Sequence, residues 1–340
     1  MRLVTYATAS GDPRVGVLQG DAIVDPDRAL RAAADMGHRG AGEAPRLPTE
    51  MVAFFEAGPR GRDLAALALE LAAEYGPALA GPDEAPAVVA ADAVRLLAPV
   101  PRPRRIRDYL TYNQHAAGSG LTVPAAFTAM PICYKCSTET VIGPGEPLLW
   151  PSYTGQLDFE LEVGFFTAGG GVNLSPNEAA GLIAGVTIFN DVSARDVQFF
   201  EMSLGIGPSK GKDFCTAMGP CVLTMDEVDE WSIGLSARVN GETWAAGTTR
   251  DRQFSFAEVL AWSSLDEPVY PGEFFAVGTV GGGCGLELNR WIQPGDLVEL
   301  EASGVGVLRN PVGARQVAPP GAGLPSYKGA PSSCSRPMSA

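Results

Sequence analysis

Residues 156–166, QLDFELEVGFF, alternate oily and acidic side chains along most of their length. Leu157, Phe159, Leu161 and Val163 share one face at period two, and Asp158, Glu160 and Glu162 share the other, which predicts a β-strand. Three carboxylates in a row on one face repel each other, and burying each without a partner costs on the order of several kcal/mol. That face therefore meets either water or something positive.

Bulk composition narrows the possibilities. A chain of 340 residues, 46% hydrophobic and 19% charged, is globular and long enough for one large domain or two ordinary ones. No apolar run reaches the roughly 20 residues a bilayer span needs, and MRLVTYATASGDPRVG at the N-terminus lacks a signal-peptide core. The expectation is a soluble cytoplasmic protein with no membrane partner. Lys and Arg total 25 against 39 Asp and Glu, a net charge of −14 that argues against a nucleic-acid partner and leaves spare carboxylates for a cation. Of the 6 cysteines, Cys133-x-x-Cys136 forms a lone pair without a second pair or a nearby histidine. It is therefore read as reduced thiols and not as a zinc site. His38 and His115 are the 2 histidines; His38, in ADMGHRGAG, reads as a surface loop residue.

Along the chain, residues 1–98 read as a small N-terminal α/β domain. RLVTYA, RVGVLQ and AIVDP are short strand-like runs divided by turn signals, and Ala- and Leu-rich helical patterns follow, ending at Gly76-Pro77. Pro99-Val100-Pro101-Arg102-Pro103 is a stiff linker over 99–103. Residues 104–318 are strand- and glycine-rich. Within them Ser175-Pro176-Asn177-Glu178 supplies a helix cap, a proline at the first helical position and a capping-box glutamate. The run that follows, AAGLIAGVTIF, is expected to turn from helix to strand near Gly185. Asn240-Gly241 reads as a two-residue hairpin tip, and Pro294-Gly295-Asp296 as a turn into two further strands. Residues 319–340, rich in Pro, Ser and Gly, read as a disordered tail.

Four polar blocks stand out: RDYLTYNQH at 107–115, the E-x-E of the opening stretch, NDVSARDVQ at 190–198 followed by GKDF at 211–214, and GTVGGGCGLE at 278–287. In this order, with Asp108 seven residues before His115, they resemble the fumarylacetoacetate hydrolase family over roughly residues 104–316. The resemblance implies an α+β, β-rich fold, a mixed β-roll core with the smaller N-terminal domain attached, and a homodimer. It also implies a Mg²⁺, Mn²⁺ or Ca²⁺ ion held at the positions of Asp108, Glu160, Glu162 and Asp191. The chemistry agrees, since hard divalent ions prefer oxygen ligands and a strand places alternate side chains on one face, about 7 Å apart, from where two carboxylates can reach one ion. Asp158 matches no ligand position and is expected to orient a neighbour.

By the same resemblance, His115 paired with Glu287 activates the attacking water, and an imidazole with a carboxylate partner is a sensible base near neutral pH. Arg195, Gln198 and Lys212 match donors that meet developing negative charge. Thr279, Tyr134 and Lys135 match substrate contacts, and Thr216 with Lys212 a secondary ion site. The match departs at Leu110, Pro124 and Met202, where the founding hydrolase carries tyrosine, arginine and tyrosine donors, which implies a smaller or less acidic substrate. The implied reaction is metal-dependent hydrolysis of a C–C bond in an acylpyruvate or 1,3-diketo acid. A decarboxylase or keto–enol isomerase on the same site, and a non-catalytic metal- or ligand-binding protein, are the alternatives.

Overall fold

The computed structural model describes all residues except 9, 43, 82–84, 121–124, 325–328 and 330–340. Pro124 and most of the expected tail lie outside the described residues. The β-rich mixed core is organised around a 12-stranded sheet. Its central run places Arg2–Ala7, Thr216–Thr224, Ile183–Asp191, Glu162–Thr167, Phe274–Ala276, Ile106–Tyr109 and Cys133–Cys136 side by side in that order. Within this run only Phe274–Ala276 with Ile106–Tyr109 is parallel. A second sheet of 5 strands runs Glu242–Thr248, Gly234–Val239, Leu297–Ala302, Gly306–Arg315 and Leu148–Trp150.

Every residue of Glu162–Thr167 and of Ile183–Asp191 is buried, because the large sheet is covered on both faces. Val163, Phe165 and Ile188 pack with Leu235, Val298 and Leu300 of the second sheet. On the other face Phe166, Phe189 and Phe274 pack with Ala29, Ala65 and Leu71 of the helices Pro26–Asp35 and Gly58–Tyr75. The N-terminal segment thus continues the large sheet, with Leu3 paired to Val222, and its helices cover one face. At 99–103, Pro99 accepts a hydrogen bond from Thr5 and Val100 is buried.

Several local expectations have direct counterparts. Ser175 and Glu178 form a reciprocal capping box on the helix Pro176–Ala180, although the following strand begins at Ile183, ahead of Gly185. Asn240 and Gly241 take φ of 53° and 80°, the left-handed pair that a tight hairpin requires.

The opening stretch differs from the single strand its alternation predicts. Leu157–Asp158 pairs with Ser193–Ala194, Glu160 makes an isolated bridge to Cys284, and only from Glu162 does the chain enter the large sheet. In the gap, Phe159 N–H donates to the Asp158 carboxylate, Glu160 N–H to Asn190 Oδ1 and Leu161 N–H to the Gly283 carbonyl. Side chains and a loop complete the buried backbone there instead of a partner strand.

Candidate active site

Asp108 stands on Ile106–Tyr109, Asp191 ends Ile183–Asp191, and Glu160 and Glu162 arrive on the interrupted stretch. Carboxylate oxygens of Asp108, Glu160 and Glu162 lie within 4.8 Å of one another, and all these residues are buried. Lys212 Nζ reaches Glu160 at 2.8 Å and Asp191 at 2.5 Å. Arg195 spans Asp158 at 2.8 Å and Glu160 at 2.7 Å and donates to Gln198 Oε1 at 3.0 Å. Tyr134 hydroxyl donates to Asp108 at 2.6 Å and to Asp191.

Among the described residues, the charged groups of the site do not balance. Five buried carboxylates, those of Asp108, Asp158, Glu160, Glu162 and Asp191, face the two cations Arg195 and Lys212. Burial and then Asp191 push the Asp108 carboxyl well above its usual range, and burial and then Asp108 do the same to Glu162. Asp191 is also raised, chiefly by burial. At Glu160 burial is outweighed by Lys212 and Arg195, which hold it below the carboxylate range. Among the described residues, Glu162 Oε2 and Asp191 Oδ1 are buried and find no hydrogen-bond partner. An all-oxygen donor set with unpaired inward lone pairs and surplus negative charge fits a hard divalent cation.

His115 lies on the short helix Asn113–Gly118, with its Nδ1 bonded to Glu287 and its Nε2 3.9 Å from Glu160 Oε1. Glu287 belongs to the helix Gly285–Leu288 and is further held by the Gly282 N–H. Asp158 connects the two halves of the site. Its carboxylate accepts from Gly285 N–H at 2.7 Å, Leu286 N–H at 3.0 Å and Arg195 Nε at 2.8 Å. It thus fixes the start of the helix bearing Glu287 and the guanidinium that grips Glu160, the orienting part expected of it.

Thr279 donates to Glu162 at 2.7 Å. Gly278 makes this possible: with φ of 93°, a Cβ there would sit 2.3 Å from the Tyr109 carbonyl, so the turn approaches the strand closely only as glycine. A cavity of about 220 Å³ opens onto Asp108, His115, Glu160, Glu162, Arg195 and Lys212. Its outer wall is apolar, formed by Leu110, Ile132, Phe199, Met202 and Leu286.

Of two expected contacts on one strand, Lys135 falls outside the cavity and Tyr134 lines it. Lys135 is 68% exposed and lies 3.8 Å from Glu267, because it follows Tyr134 on a strand and successive side chains take opposite faces. Tyr134 turns its hydroxyl to Asp108 and Asp191, so it is bonded within the candidate ligand set. Thr216 is buried, and its hydroxyl finds no hydrogen-bond partner among the described residues. Asn190, which holds the Glu160 backbone, and Cys284, within reach of His115 and Glu287, escaped the sequence reading. For Cys284 the spacing of three to Glu287 is the one signal available.

Residues 104–313 match the family described as fumarylacetoacetate (FAA) hydrolase, C-terminal. The chain is 28% identical to the mitochondrial oxaloacetate tautomerase fahd2 of Xenopus laevis over 92% of its length and 90% of the relative's. It is 30% identical to oxaloacetate tautomerase YisK of Bacillus subtilis over 65% of this chain and 73% of that one. Among solved structures, maleylpyruvate hydrolase from Sphingobium sp. SYK-6, in complex with manganese(II) and pyruvate, superposes with a TM-score of 0.66 at 20% identity, covering 93% of this chain and all of that one. The matched family span runs from just before Asp108 to well past Glu287, and the chain belongs to the fumarylacetoacetate hydrolase family.

Proposed function

We propose that this chain hydrolyses a C–C bond in acylpyruvate or 1,3-diketo acid substrates, using Mg²⁺, Mn²⁺ or Ca²⁺ held by Asp108, Glu160, Glu162 and Asp191. The observation that carries this reading is the imidazole of His115, set between Glu287 on Nδ1 and the carboxylate cluster on Nε2. When bound, the cation supplies Lewis acidity toward the neighbouring oxygens of a 2-oxo acid. Glu287 accepts a hydrogen bond from the Nδ1–H of His115, which leaves the Nε2 lone pair to take a proton from water. Arg195 and Lys212, fixed through Glu160, stand where negative charge develops as the C–C bond breaks. Gln198 gives its oxygen to Arg195 and so presents N–H donors to a ligand. The apolar wall at Leu110, Ile132, Phe199 and Met202 suits an uncharged acyl end.

Acetylpyruvate with Mn²⁺ tests the proposal: the expected products are pyruvate and acetate, one of each per water consumed, with none formed in chelator. His115→Ala should lower the rate by about 10²–10⁴-fold while Mn²⁺ binding persists. Absence of pyruvate, or an unaltered rate in that variant, would refute the assignment. A second reading, keto–enol tautomerisation of oxaloacetate, is favoured by the Xenopus laevis relative, which spans nearly the whole chain. The same lone pair on His115 would then carry a proton between carbon and oxygen. Faster equilibration of enol oxaloacetate with acetylpyruvate left intact selects that reading, and release of CO₂ selects decarboxylation.

A further inference from the structure

We infer that Cys284, His115 and Glu287 form a second metal site, selective for zinc or another thiophilic divalent ion, whose occupation switches off the His115–Glu287 pair. The inference rests on the proposed reading for the loss of activity only, not for the binding itself.

One sulfur, one nitrogen and one carboxylate oxygen from these residues all lie within 4.8 Å of one another, with the thiol 3.7 Å from Glu287 Oε1. Zinc bonds of roughly 2.0–2.3 Å in a tetrahedron put ligand atoms about 3–4 Å apart, so closing the site needs only small shifts. Cys284 caps the helix Gly285–Leu288 and Glu287 lies on its first turn, while His115 comes from a separate helix. Cys284 is fully buried beside the reacting groups, yet the proposed hydrolysis makes no use of it.

Ligand softness sorts the two sites. The set around Asp108, Glu160 and Glu162 offers only oxygen and suits Mg²⁺ or Mn²⁺, whereas the mixed sulfur, nitrogen and oxygen set suits Zn²⁺ or Co²⁺. A thiolate and a carboxylate also cancel the dication's charge. On binding, the Cys284 thiol releases its proton to solvent and the sulfur bonds the metal.

Loss of activity follows from the imidazole's single proton. With Glu287 on Nδ1, the proton sits there and the Nε2 lone pair faces Glu160. A metal on Nδ1 takes that nitrogen's lone pair, and the proton moves to Nε2. The ring then shows the cavity a donor and can accept no proton from water.

The test titrates the Mn²⁺-loaded protein with Co²⁺, follows the thiolate-to-cobalt charge-transfer band in the near ultraviolet, and then adds Zn²⁺. The band should form in the wild type and in Cys136→Ser, and disappear in both Cys284→Ser and Cys284→Ala. Cys136 is the rival thiol, because it lies in a cluster with Asp108 and Asp191. Zn²⁺ should displace the cobalt and stop turnover of acetylpyruvate. The Cys284 variants should need at least about tenfold more Zn²⁺ for the same inhibition, since losing a ligand costs no less than losing a group that only orients one. A missing band, a band that follows Cys136, or inhibition at unchanged Zn²⁺ in the Cys284 variants would overturn the inference. If acetylpyruvate is not cleaved at all, the cobalt band still decides it.

Discussion

Glu160 and Glu162 are two residues apart and live in opposite electrostatic surroundings. Lys212 and Arg195 hold Glu160 ionised, whereas among the described residues Glu162 has only the Thr279 hydroxyl on one oxygen and no hydrogen-bond partner on the other. Glu162 is therefore the carboxylate with most to gain from a cation. Glu162→Gln should weaken Mn²⁺ binding at least about tenfold, since affinity follows the charge of the ligand set. The same change should raise the melting temperature of the metal-free protein, because it removes a buried, unpaired acid. Calorimetric titration and thermal melting check the two signs separately, and a variant that binds Mn²⁺ as well as wild type would exclude Glu162 as a ligand.

At the scale of elements, the helix Gly285–Leu288 is too short to stand alone, and its first N–H groups are held by Asp158 from a distant part of the chain. Asp158 is wholly buried and burial pushes its carboxyl up, so the Arg195 pair and the N–H bonds from Phe159, Gly285 and Leu286 are what compensate its desolvation. Asp158→Ala leaves Arg195 with Glu160 and Gln198 and strips the helix start. Stability should fall by about 3–5 kcal/mol, the usual cost of breaking a buried pair, as measured by denaturant unfolding. The alternation at 156–166 announced which side chains share a face, and that reading survives. It could not announce that the stretch changes partners twice, because Ser193–Ala194, Cys284 and Gly283 are remote in sequence. Lys135 shows the converse limit. A short motif match carries no record of which face of the strand each residue takes, so Tyr134 and Lys135 looked equivalent until the strand was placed.

Across the whole molecule, the carboxylate cluster makes stability depend on metal and pH together. Asp108 and Glu162 have raised values in the folded, metal-free chain. Their contribution is complete below the unfolded carboxylate range near about pH 4 and is lost as pH rises through the folded values. The metal-free protein should therefore melt lower at pH 8 than at pH 5 from this source. Mn²⁺ at about 100 times its dissociation constant adds about 2.7 kcal/mol to the folded state. The increment at fixed Mn²⁺ should be larger at pH 8, where fewer protons compete with the cation for the raised carboxyls. Melting curves with Mn²⁺ or chelator at the two pH values test this, and an increment larger at pH 5 would contradict it.

The sequence by itself determined the alternating stretch, the capping box at Ser175 and Glu178, the Asn240-Gly241 turn and the family, because each depends on residues close in the chain or on blocks in a set order. Only the tertiary structure decided that residues 1–98 continue the large sheet, that Asp158 ties the Glu287 helix to Arg195, and that Cys284 lies beside His115. These are contacts between segments far apart in sequence, and neither period nor propensity records which distant group a buried side chain will meet.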